Sequence, residues 1–197
     1  MPRCTWVNDD PLYIDYHDTE WGVPESSDQA LFEKIILEGF QAGLSWITIL
    51  RKRENFRRAF DQFDPEKIAR YGKRKQVALM KDAGIVRNAM KIDAAIGNAQ
   101  AYLKMRDEGE TLAHFFWDAV DGAPQQNKYK KLSDIPAETV LSKNLSKELK
   151  RRGFRFVGPT TVYAHMQAMG LVNDHVVGCP RHEDCAKIGA KFKLGKN

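Results

Sequence analysis

The chain has 197 residues, of which 43% are hydrophobic, 10% aromatic and 29% charged, and its formal net charge is +5. This composition is typical of a folded globular protein, and no apolar run reaches the roughly 18 residues that a membrane span needs. The three cysteines and the absence of a signal-peptide pattern after Met1 argue against a disulfide framework. We therefore expect a cytoplasmic protein, without a membrane partner, that folds as one compact body.

Apolar residues at helical spacing predict a series of helices after an irregular start. The first 24 residues carry several aromatics, with Pro11 and Pro24 as helix breakers, and predict an irregular arm packed on the body. Ser27 or Asp28 suits an N-cap, and the first helix is predicted to run from there to about Glu38. Further helices are predicted over residues 43–63, 65–71, 73–84, 85–107, 111–120, 142–152 and 159–169.

No stretch of useful length alternates apolar and polar residues as a half-buried strand does, so the predicted fold class is all-α. Residues 121–137 are polar and rich in turn formers, and they predict an irregular connection. We expect one compact α-helical body over residues 1–185, followed by a basic, flexible tail over residues 186–197.

The segment from Leu37 to Trp46, LEGFQAGLSW, mixes a carboxylate, an amide, two glycines and an indole between two apolar helices. Glu38 in such a place loses hydration and needs a partner, or else its proton affinity rises. Gly39 and Gly43 interrupt a helix and let the backbone approach another group closely. Two interpretations stay open: a carboxylate at the bottom of a pocket, or a glutamate at a helix end that faces water.

Cysteine and histidine residues occur near both ends of the chain. Cys4 and His17 with His175 and Cys179 offer the two sulfur and two nitrogen ligands of a tetrahedral structural zinc. A zinc ion bound there would tie the arm, residues 1–26, to residues 173–180. His182 and Cys185 form a second candidate pair, and the alternative is that all of these are ordinary buried residues.

Two basic clusters each lie beside a glycine-containing turn, at residues 51–58 and 143–155. In the second, Gly153 and Gly158 flank the sequence FRFV, and a helix begins at Pro159-Thr160. Backbone N–H groups at such glycines and at a helix N-terminus bind phosphate without reading sequence. The alternatives are solvated helix faces and an ordinary corner between two helices.

Four motifs together resemble one known family: CxWV at 4–7, YHDTEWGVP at 16–24, LEGFQAGLSW at 37–46 and GFRFVGPTTVYAHMQAMGLVNDHVVGC at 153–179. They are similar to the 3-methyladenine DNA glycosylase I family of the helix-hairpin-helix DNA glycosylase superfamily. The resemblance covers nearly the whole chain, from residue 4 to about 180. It implies a helix-hairpin-helix glycosylase-like helical bundle whose N- and C-terminal segments are joined by a zinc site.

The resemblance also implies an activity and the residues that carry it. The family flips 3-methyladenine out of DNA and cleaves its N-glycosidic bond. Cys4, His17, His175 and Cys179 match the zinc ligands, which favours this set over one with Cys185. The remaining matches form the base site, with Glu38 as the catalytic carboxylate that binds the base, Tyr16 and Trp46 as the aromatics that hold it, and Tyr13, Trp6 and Trp21 as lining residues.

The chemistry of the substrate fits these residue types. Methylation at N3 makes the adenine cationic, and an aromatic cage attracts a cation by about 0.5–2 kcal/mol per ring. Because the base leaves as a neutral molecule, no strong general acid is needed. Asn173 occupies the place of the catalytic Asp of many relatives, and Pro159-Thr160 stands where bifunctional members carry a Lys. We therefore expect a monofunctional hydrolase that uses water and leaves an abasic site.

The expected partners are double-stranded DNA that contains alkylated adenine and the released base, and the expected state is a monomer. The resemblance places Gln41, Gly43 and Leu44 beside the space that the flipped nucleotide leaves, although a Leu44 in the core is the alternative. The second basic cluster and its turn supply the remaining residues predicted to bind DNA, which are Gly153, Gly158, Thr160, Arg152 and Arg155.

Two other functions remain open from the sequence. The first is a helix-hairpin-helix module that binds DNA without catalysis, in which Glu38 and the aromatics are only core residues. The second is a zinc-stabilised helical protein that binds a small cationic purine without DNA. Release of free base from methylated DNA excludes the first, and salt-dependent binding to duplex DNA argues against the second.

Overall fold

The computed structural model describes residues 2–195, and its main elements are helical. Two strands of two residues each, β1 (Gln125–Gln126) and β2 (Val172–Asn173), pair in parallel. Short 3-10 turns occur at Asp61–Phe63, Asp118–Val120 and Leu132–Asp134. The α-helices of this part of the chain are α1 (Pro11–Thr19), α2 (Asp28–Gln41), α3 (Trp46–Ala59), α4 (Pro65–Ile68), α5 (Lys73–Lys81), α6 (Ala89–Asp107), α7 (Leu112–Trp117), α8 (Val140–Arg151), α9 (Pro159–Ala168) and α10 (Pro180–Gly189).

The predicted helical fold class is confirmed, and several helix starts lie where the capping residues indicated. The Ser27 side chain accepts from the Ala30 N–H at the start of α2. Pro65 and Pro159 are the first residues of α4 and α9, where proline loses no intrahelical hydrogen bond. Side-chain oxygens and N-terminal prolines are local signals, so these starts were readable from sequence.

The prediction that the first 24 residues form an irregular arm is wrong. Residues 11–19 form α1, which Asp10 caps by accepting a hydrogen bond from the Leu12 N–H at 3.0 Å. Pro11 was interpreted as a breaker, but it is the first helical residue, a position that favours proline. Only the segments on either side of α1 are irregular.

The segment after Glu38 also differs from the prediction. Helix α2 continues through Gln41, and α3 begins at Trp46 rather than at Gly43, which has a φ of +80°. The predicted helix over residues 43–63 ends at Ala59, because residues 61–63 all have positive φ. The exposed turn over residues 42–45 therefore separates α2 from α3 and lies one helical turn beyond Glu38.

The predicted boundary at residue 185 lies inside α10, so the helix continues across it to Gly189. The Phe192 ring packs on Trp117, with 4.1 Å between ring centroids, and Leu194 is also packed against the core. This part of the chain is amphipathic, and its apolar residues were overlooked because lysines surround them. Residues 196 and 197 of the predicted tail, like residue 1, lie outside the described residues.

Helix α2 lies at the centre of the fold, with nearly every residue from Leu31 to Phe40 buried and with α3, α6, α7 and α9 packed around it. Gly39 on α2 lets the turn between α8 and α9 approach, since a Cβ there would lie 3.3 Å from the Cβ of Phe156. At the end of α9, Gly170 has a φ of +70°, and a Cβ there would lie 2.4 Å from the backbone of Pro24. These two contacts bring the N-terminal segment, α2 and α9 together around one space.

Among residues 2–195, no helix is both long enough and apolar enough to cross a membrane.

Candidate active site and metal centre

A cavity of about 240 Å³ opens between α1, the end of α2, the start of α3 and α9. We call it the aromatic pocket. The six residues predicted to surround a base all line it, although they come from three separate segments. Its lining residues are Trp6, Tyr13, Tyr16, Trp21, Glu38, Gln41, Trp46, Leu132, Ile135, Ala164 and Gln167.

The aromatic side chains form a continuous wall of rings. The centroids of Tyr16 and Trp46 are 5.5 Å apart, and those of Trp6 and Tyr13 are 5.0 Å apart. Trp6 also contacts Trp21 edge-on at 5.1 Å. Such walls bind a flat ligand by stacking, and their electron-rich faces favour a ligand with positive charge.

Glu38 lies in the last turn of α2 and is only 5% exposed. Burial raises the pKa of its carboxyl to about 7, and the nearby Lys34 opposes that rise. Among the described residues, none donates a hydrogen bond to this carboxylate, whose pKa responds to burial and to the charge of Lys34. The indole N–H of Trp46 is buried without an acceptor. The interpretation of Glu38 as a water-facing residue at a helix end is therefore wrong, and the pocket contains a carboxylate that no described residue matches.

Lys34 lies behind this wall and was missed by the sequence analysis. Its Nζ donates to the Tyr16 hydroxyl at 2.8 Å and lies 4.1 Å from the Trp46 ring centroid. Burial lowers the pKa of the ammonium, and Glu38 opposes this effect. The available signal was its position four residues before Glu38, which puts the two side chains on one helix face.

The turn over residues 42–45 connects two residues that line the aromatic pocket, Gln41 and Trp46. Leu44 is 41% exposed, so the interpretation that places it in the core is wrong. Lys91 on α6 donates to the carbonyls of Phe40 at 2.8 Å and Ala42 at 2.6 Å, which satisfies carbonyls that a helix end leaves free. The exposed leucine is thus carried on a turn whose base is held by a buried lysine.

The four predicted metal ligands come together next to the aromatic pocket, where the Trp6 ring contacts His17. Cys4, His17, His175 and Cys179 are all buried, and their ligand atoms lie within 4.8 Å of one another. The Cys4 Sγ is 3.6 Å from Nδ1 of His175, and the Cys179 Sγ is 3.6 Å from Nε2 of His17. This group, the Cys2His2 cluster, is arranged so that it could hold a metal ion.

Outer contacts fix the orientation of both imidazoles in the Cys2His2 cluster. Nδ1 of His17 is 2.7 Å from Oδ1 of Asp18, and Nε2 of His175 is 2.9 Å from the Trp21 carbonyl. Each ring therefore turns its other nitrogen toward the sulfurs, as metal-binding histidines do. The hydrogen bond between the sulfurs raises the pKa of the Cys4 thiol and lowers that of Cys179.

The second candidate pair lies outside the Cys2His2 cluster. Nε2 of His182 is 2.7 Å from the carbonyl of Asn127, and Cys185 is buried beside Arg181, whose guanidinium is 3.6 Å from its Sγ. Neither belongs to the group of ligand atoms.

The turn between α8 and α9 carries the residues predicted to contact phosphate. Gly153 has a φ of +99°. Gly158 is the N-cap residue of α9 and has no side chain to accept a hydrogen bond, so the first N–H groups of α9 have no side-chain cap. Asn98 on α6 holds the turn through both backbone groups of Arg155, at 2.7 Å and 3.0 Å. Thr160 is exposed at the start of α9.

The two arginines of this turn differ in availability. The Arg155 guanidinium is half exposed and pairs with Asp93 at 2.9 Å. Arg152 is held by Glu110 and Glu148 and stacks over the Phe115 ring. An incoming phosphate therefore competes with one carboxylate for Arg155 and with two for Arg152.

Four further residues line the aromatic pocket without having been predicted. Leu132 and Ile135 come from the irregular connection, and Ala164 and Gln167 come from α9. No local pattern marks the first two, because their apolar character matters only once the connection folds over the pocket. A larger cavity, of about 290 Å³, lies nearby, and four of its charged groups are paired with each other, Arg53 with Glu20 and Arg57 with Glu33.

The fold and the site define a helical protein with a pocket suited to a flat, electron-poor ligand, next to a group of side chains that could hold a metal ion. A model of the methyladenine glycosylase family matches residues 6–182. The chain therefore belongs to this family, and the resemblance drawn from its motifs is confirmed at that level.

Three similar proteins add detail. DNA-3-methyladenine glycosylase 1 of Escherichia coli is 58% identical over 179 residues, which cover 91% of this chain and 96% of the relative. A crystal structure of 3-methyladenine DNA glycosylase I superimposes with a TM-score of 0.89 at 54% identity, covering 91% of this chain and 98% of that one. A variant of 3-methyladenine DNA glycosylase I in complex with 3-methyladenine superimposes with a TM-score of 0.88 at 38% identity, covering 91% and 97%.

Proposed function

We propose that this protein excises 3-methyladenine from alkylated DNA by hydrolysis of the N-glycosidic bond. The observation that carries the proposal is the buried, unmatched carboxylate of Glu38 inside the ring wall of Tyr16 and Trp46. A relative with this fold is described in complex with 3-methyladenine. A flat cation is the ligand that both the carboxylate and the rings favour.

The reaction follows from the charges. A flipped 3-methyladenine carries positive charge, and as the glycosidic bond breaks its electron pair goes to the base, which becomes neutral while the positive charge passes to the sugar. The walls orient the base, and Glu38 attracts the cation and accepts from its exocyclic amine. Water then adds to the sugar carbon and loses a proton, and an abasic site remains. Pro159-Thr160 provides no amine at the start of α9, and Lys34 is occupied by Tyr16 and does not line the pocket, so we propose a monofunctional enzyme.

The proposed cofactor is one structural zinc ion held by Cys4, His17, His175 and Cys179. Tetrahedral zinc, with about 2.3 Å to sulfur and about 2.0–2.1 Å to nitrogen, sets neighbouring S and N ligands roughly 3.5 Å apart. The S–N distances of 3.6 Å fit this arrangement. When bound, zinc would neutralise the two sulfurs and join residues 4–17 to residues 175–179, so its role is stability rather than chemistry.

The proposed DNA contacts lie on two sides of the aromatic pocket. The turn over residues 42–45 would present Leu44 to the space left by the flipped nucleotide, with Gln41 and Gly43 beside it. The helix-hairpin-helix formed by α8, the turn and α9 would bind phosphate through Gly153, Gly158, Thr160 and Arg155, with a smaller part for Arg152. We propose that the protein acts as a monomer on double-stranded DNA and, since its substrate is DNA, in the cytoplasm of a bacterial cell.

The decisive test is Glu38→Gln, assayed for release of free 3-methyladenine from methylated duplex DNA. The substitution keeps the shape and removes the charge, so excision should fall by roughly 100-fold or more, as when one electrostatic group of an active site is lost. Metal content and thermal unfolding report whether the fold is intact. Glu183→Gln, which changes an exposed carboxylate on α10, is the matched control and should excise like the unaltered protein.

Two outcomes separate the alternatives. If the unaltered protein releases no 3-methyladenine, the catalytic proposal fails and a DNA-binding module remains. If Glu38→Gln retains full activity, the pocket is not where the base is recognised.

The DNA contact is tested by binding to duplex DNA at several salt concentrations. Arg155→Ala should weaken binding uniformly across sequences and reduce the salt slope by about 1, as expected for one phosphate contact. Arg152→Ala should have a smaller effect because two glutamates already hold its guanidinium. Lys187→Ala on α10 is the charge-matched control. If the affinity for duplex DNA does not depend on salt concentration, the alternative of a protein that binds free purines is favoured.

The monofunctional mechanism is tested with borohydride, which traps the covalent imine of a lyase. No adduct between protein and DNA is expected. A trapped adduct would overturn this part of the proposal while leaving base excision intact.

A further inference from the structure

A lysine is buried directly behind the ring wall of the aromatic pocket. Lys34 is only 8% exposed, donates to the Tyr16 hydroxyl at 2.8 Å, and its Nζ lies 4.6 Å and 4.1 Å from the ring centroids of Tyr16 and Trp46. It lines the neighbouring cavity and not the aromatic pocket. The two rings thus lie between the ammonium and the space for the ligand.

Burying an ammonium costs free energy unless an opposite charge is near. Glu38 follows Lys34 by four residues on α2, so both side chains lie on the same face of the helix. Glu38 in turn has no hydrogen-bond donor among the described residues, and its burial favours the neutral acid. The Lys34 ammonium and the Glu38 carboxylate therefore each lower the free-energy cost of burying the other's charge.

The other charges around this pair are already balanced. Glu20 after α1 pairs with Arg53 of α3, and Glu33 of α2 pairs with Arg57 of α3. Tyr13 and Tyr16 of α1 also face Glu38, and both have raised pKa values, mainly through burial, so they remain neutral phenols.

On α9, His165 is fully buried, and neither ring nitrogen has a partner among the described residues. Burial, and then Lys34, lowers its pKa to about 3, so it stays uncharged. Among residues 2–195, Lys34 is thus the cation whose charge acts on Glu38.

We propose that Lys34 is a positioning residue that favours the ionised form of Glu38 before the base arrives and holds Tyr16 in the pocket wall. It thereby sets the lower pH limit of 3-methyladenine recognition. This inference rests on the proposed function, and it assigns to Lys34 no contact with the base. The ammonium does not repel the cationic base strongly, because the rings separate the two and Glu38 lies in the pocket itself.

The test uses the intact, metal-loaded protein with three substitutions of Lys34. Lys34→Met removes the charge and the donor, Lys34→Gln removes the charge but keeps a donor for Tyr16, and Lys34→Arg keeps both. The protonation of Glu38 is followed directly by the carbon-13 shift of its carboxyl group, and excision from methylated duplex DNA is followed over the same pH range.

In both neutral variants we expect the Glu38 midpoint to rise by about 1–3 pH units, as for loss of one opposite charge at close range. The acid limb of excision should move upward by the same amount, and Lys34→Arg should restore both toward the unaltered protein. A merely structural role for Lys34 would change stability and overall activity without moving the midpoint.

An unchanged Glu38 midpoint in a folded neutral variant would overturn the inference. If neither neutral variant folds, the unaltered protein still tests the inference. When two ionisable groups are coupled, the titration of each one is seen in the signal of the other. The Lys34 nitrogen-15 shift must then respond to the Glu38 titration, and the absence of that response also overturns it. Failure of the unaltered protein to release base would refute the proposed function alone, since the two titrations do not depend on excision.

Discussion

Tyr16 and His17 are neighbours on α1, yet they belong to two regions with opposite character. Tyr16 is in the wall of an open pocket of about 240 Å³, whereas His17 is in the closed Cys2His2 cluster, whose ligand atoms lie within 4.8 Å of one another. In the cluster, both histidines have outer partners, Asp18 and the Trp21 carbonyl. In the pocket, by contrast, the carboxylate of Glu38 lacks a donor among the described residues.

The difference shows how to distinguish a stabilising site from a recognition site when both are built from buried polar groups. A buried polar group without a partner costs free energy, so a fold retains one only where something else is gained. In the Cys2His2 cluster both imidazoles have outer partners, and the four ligand atoms are arranged so that they could hold a cation. The aromatic pocket combines an unmatched carboxylate with a volume lined by rings, which are the features that a ligand matches.

The largest expected effect separates two buried cysteines. Cys179→Ala removes a cluster ligand, and we expect loss of the bound metal and destabilisation by about 3 kcal/mol or more, because metal binding and folding are coupled. Cys185→Ala, at a residue that is equally buried but outside the cluster, should keep the metal and lose far less stability. Metal analysis and thermal unfolding check both. Equal losses would show that burial, and not ligation, explains the effect.

The next largest effect is expected for a substitution in the aromatic pocket, which should change excision but not metal content. Trp46→Ala removes one ring face, and we expect excision to fall by roughly 10- to 100-fold, from about 1–3 kcal/mol of lost stacking. Metal content should not change, since Trp46 is not one of the four ligand residues. Trp46→Phe should recover part of the activity. A drop in metal content in Trp46→Ala would contradict the separation of the two regions.

A smaller effect is expected from the outer contact of the cluster. Asp18→Asn weakens the hydrogen bond that orients His17. Metal affinity should fall by about 10-fold, which is the lower end of the range seen when a hydrogen-bond partner of a metal ligand is lost. Excision measured with excess metal should be nearly unchanged. Asp15→Asn, at an exposed position of the same helix, is the control, and competition with a chelator measures both affinities.

The smallest effect concerns the pocket wall that the sequence analysis missed. Leu132→Ala should raise the KM for methylated DNA by a few-fold, because it removes roughly 1 kcal/mol of apolar contact from a partly exposed side chain. Val140→Ala changes an exposed apolar residue on α8 and should leave KM unaltered. If the two variants behave alike, Leu132 is only part of the surface.

The sequence by itself determined the features that depend on near neighbours in the chain. Proline and serine caps placed the starts of α2, α4 and α9, because a cap acts within one helical turn. Four ordered motifs identified the family, and residue chemistry pointed to Glu38 and to the four cysteine and histidine residues. Proline is a local signal with two meanings, since it can break a helix or begin one. At residue 11 the prediction of a break was wrong, because Pro11 begins α1.

Only the tertiary structure decided which of these groups meet and which are left without a partner. Leu132 and Ile135 become pocket walls because a connection with no periodic pattern folds over α1. The chain after residue 185 joins the core because Phe192 meets Trp117, 75 positions earlier in the sequence. Lys34 gains its significance from Tyr16, Trp46 and the burial of Glu38. Burial and charge pairing are properties of a three-dimensional neighbourhood, and the spacing of residues along the chain does not contain them.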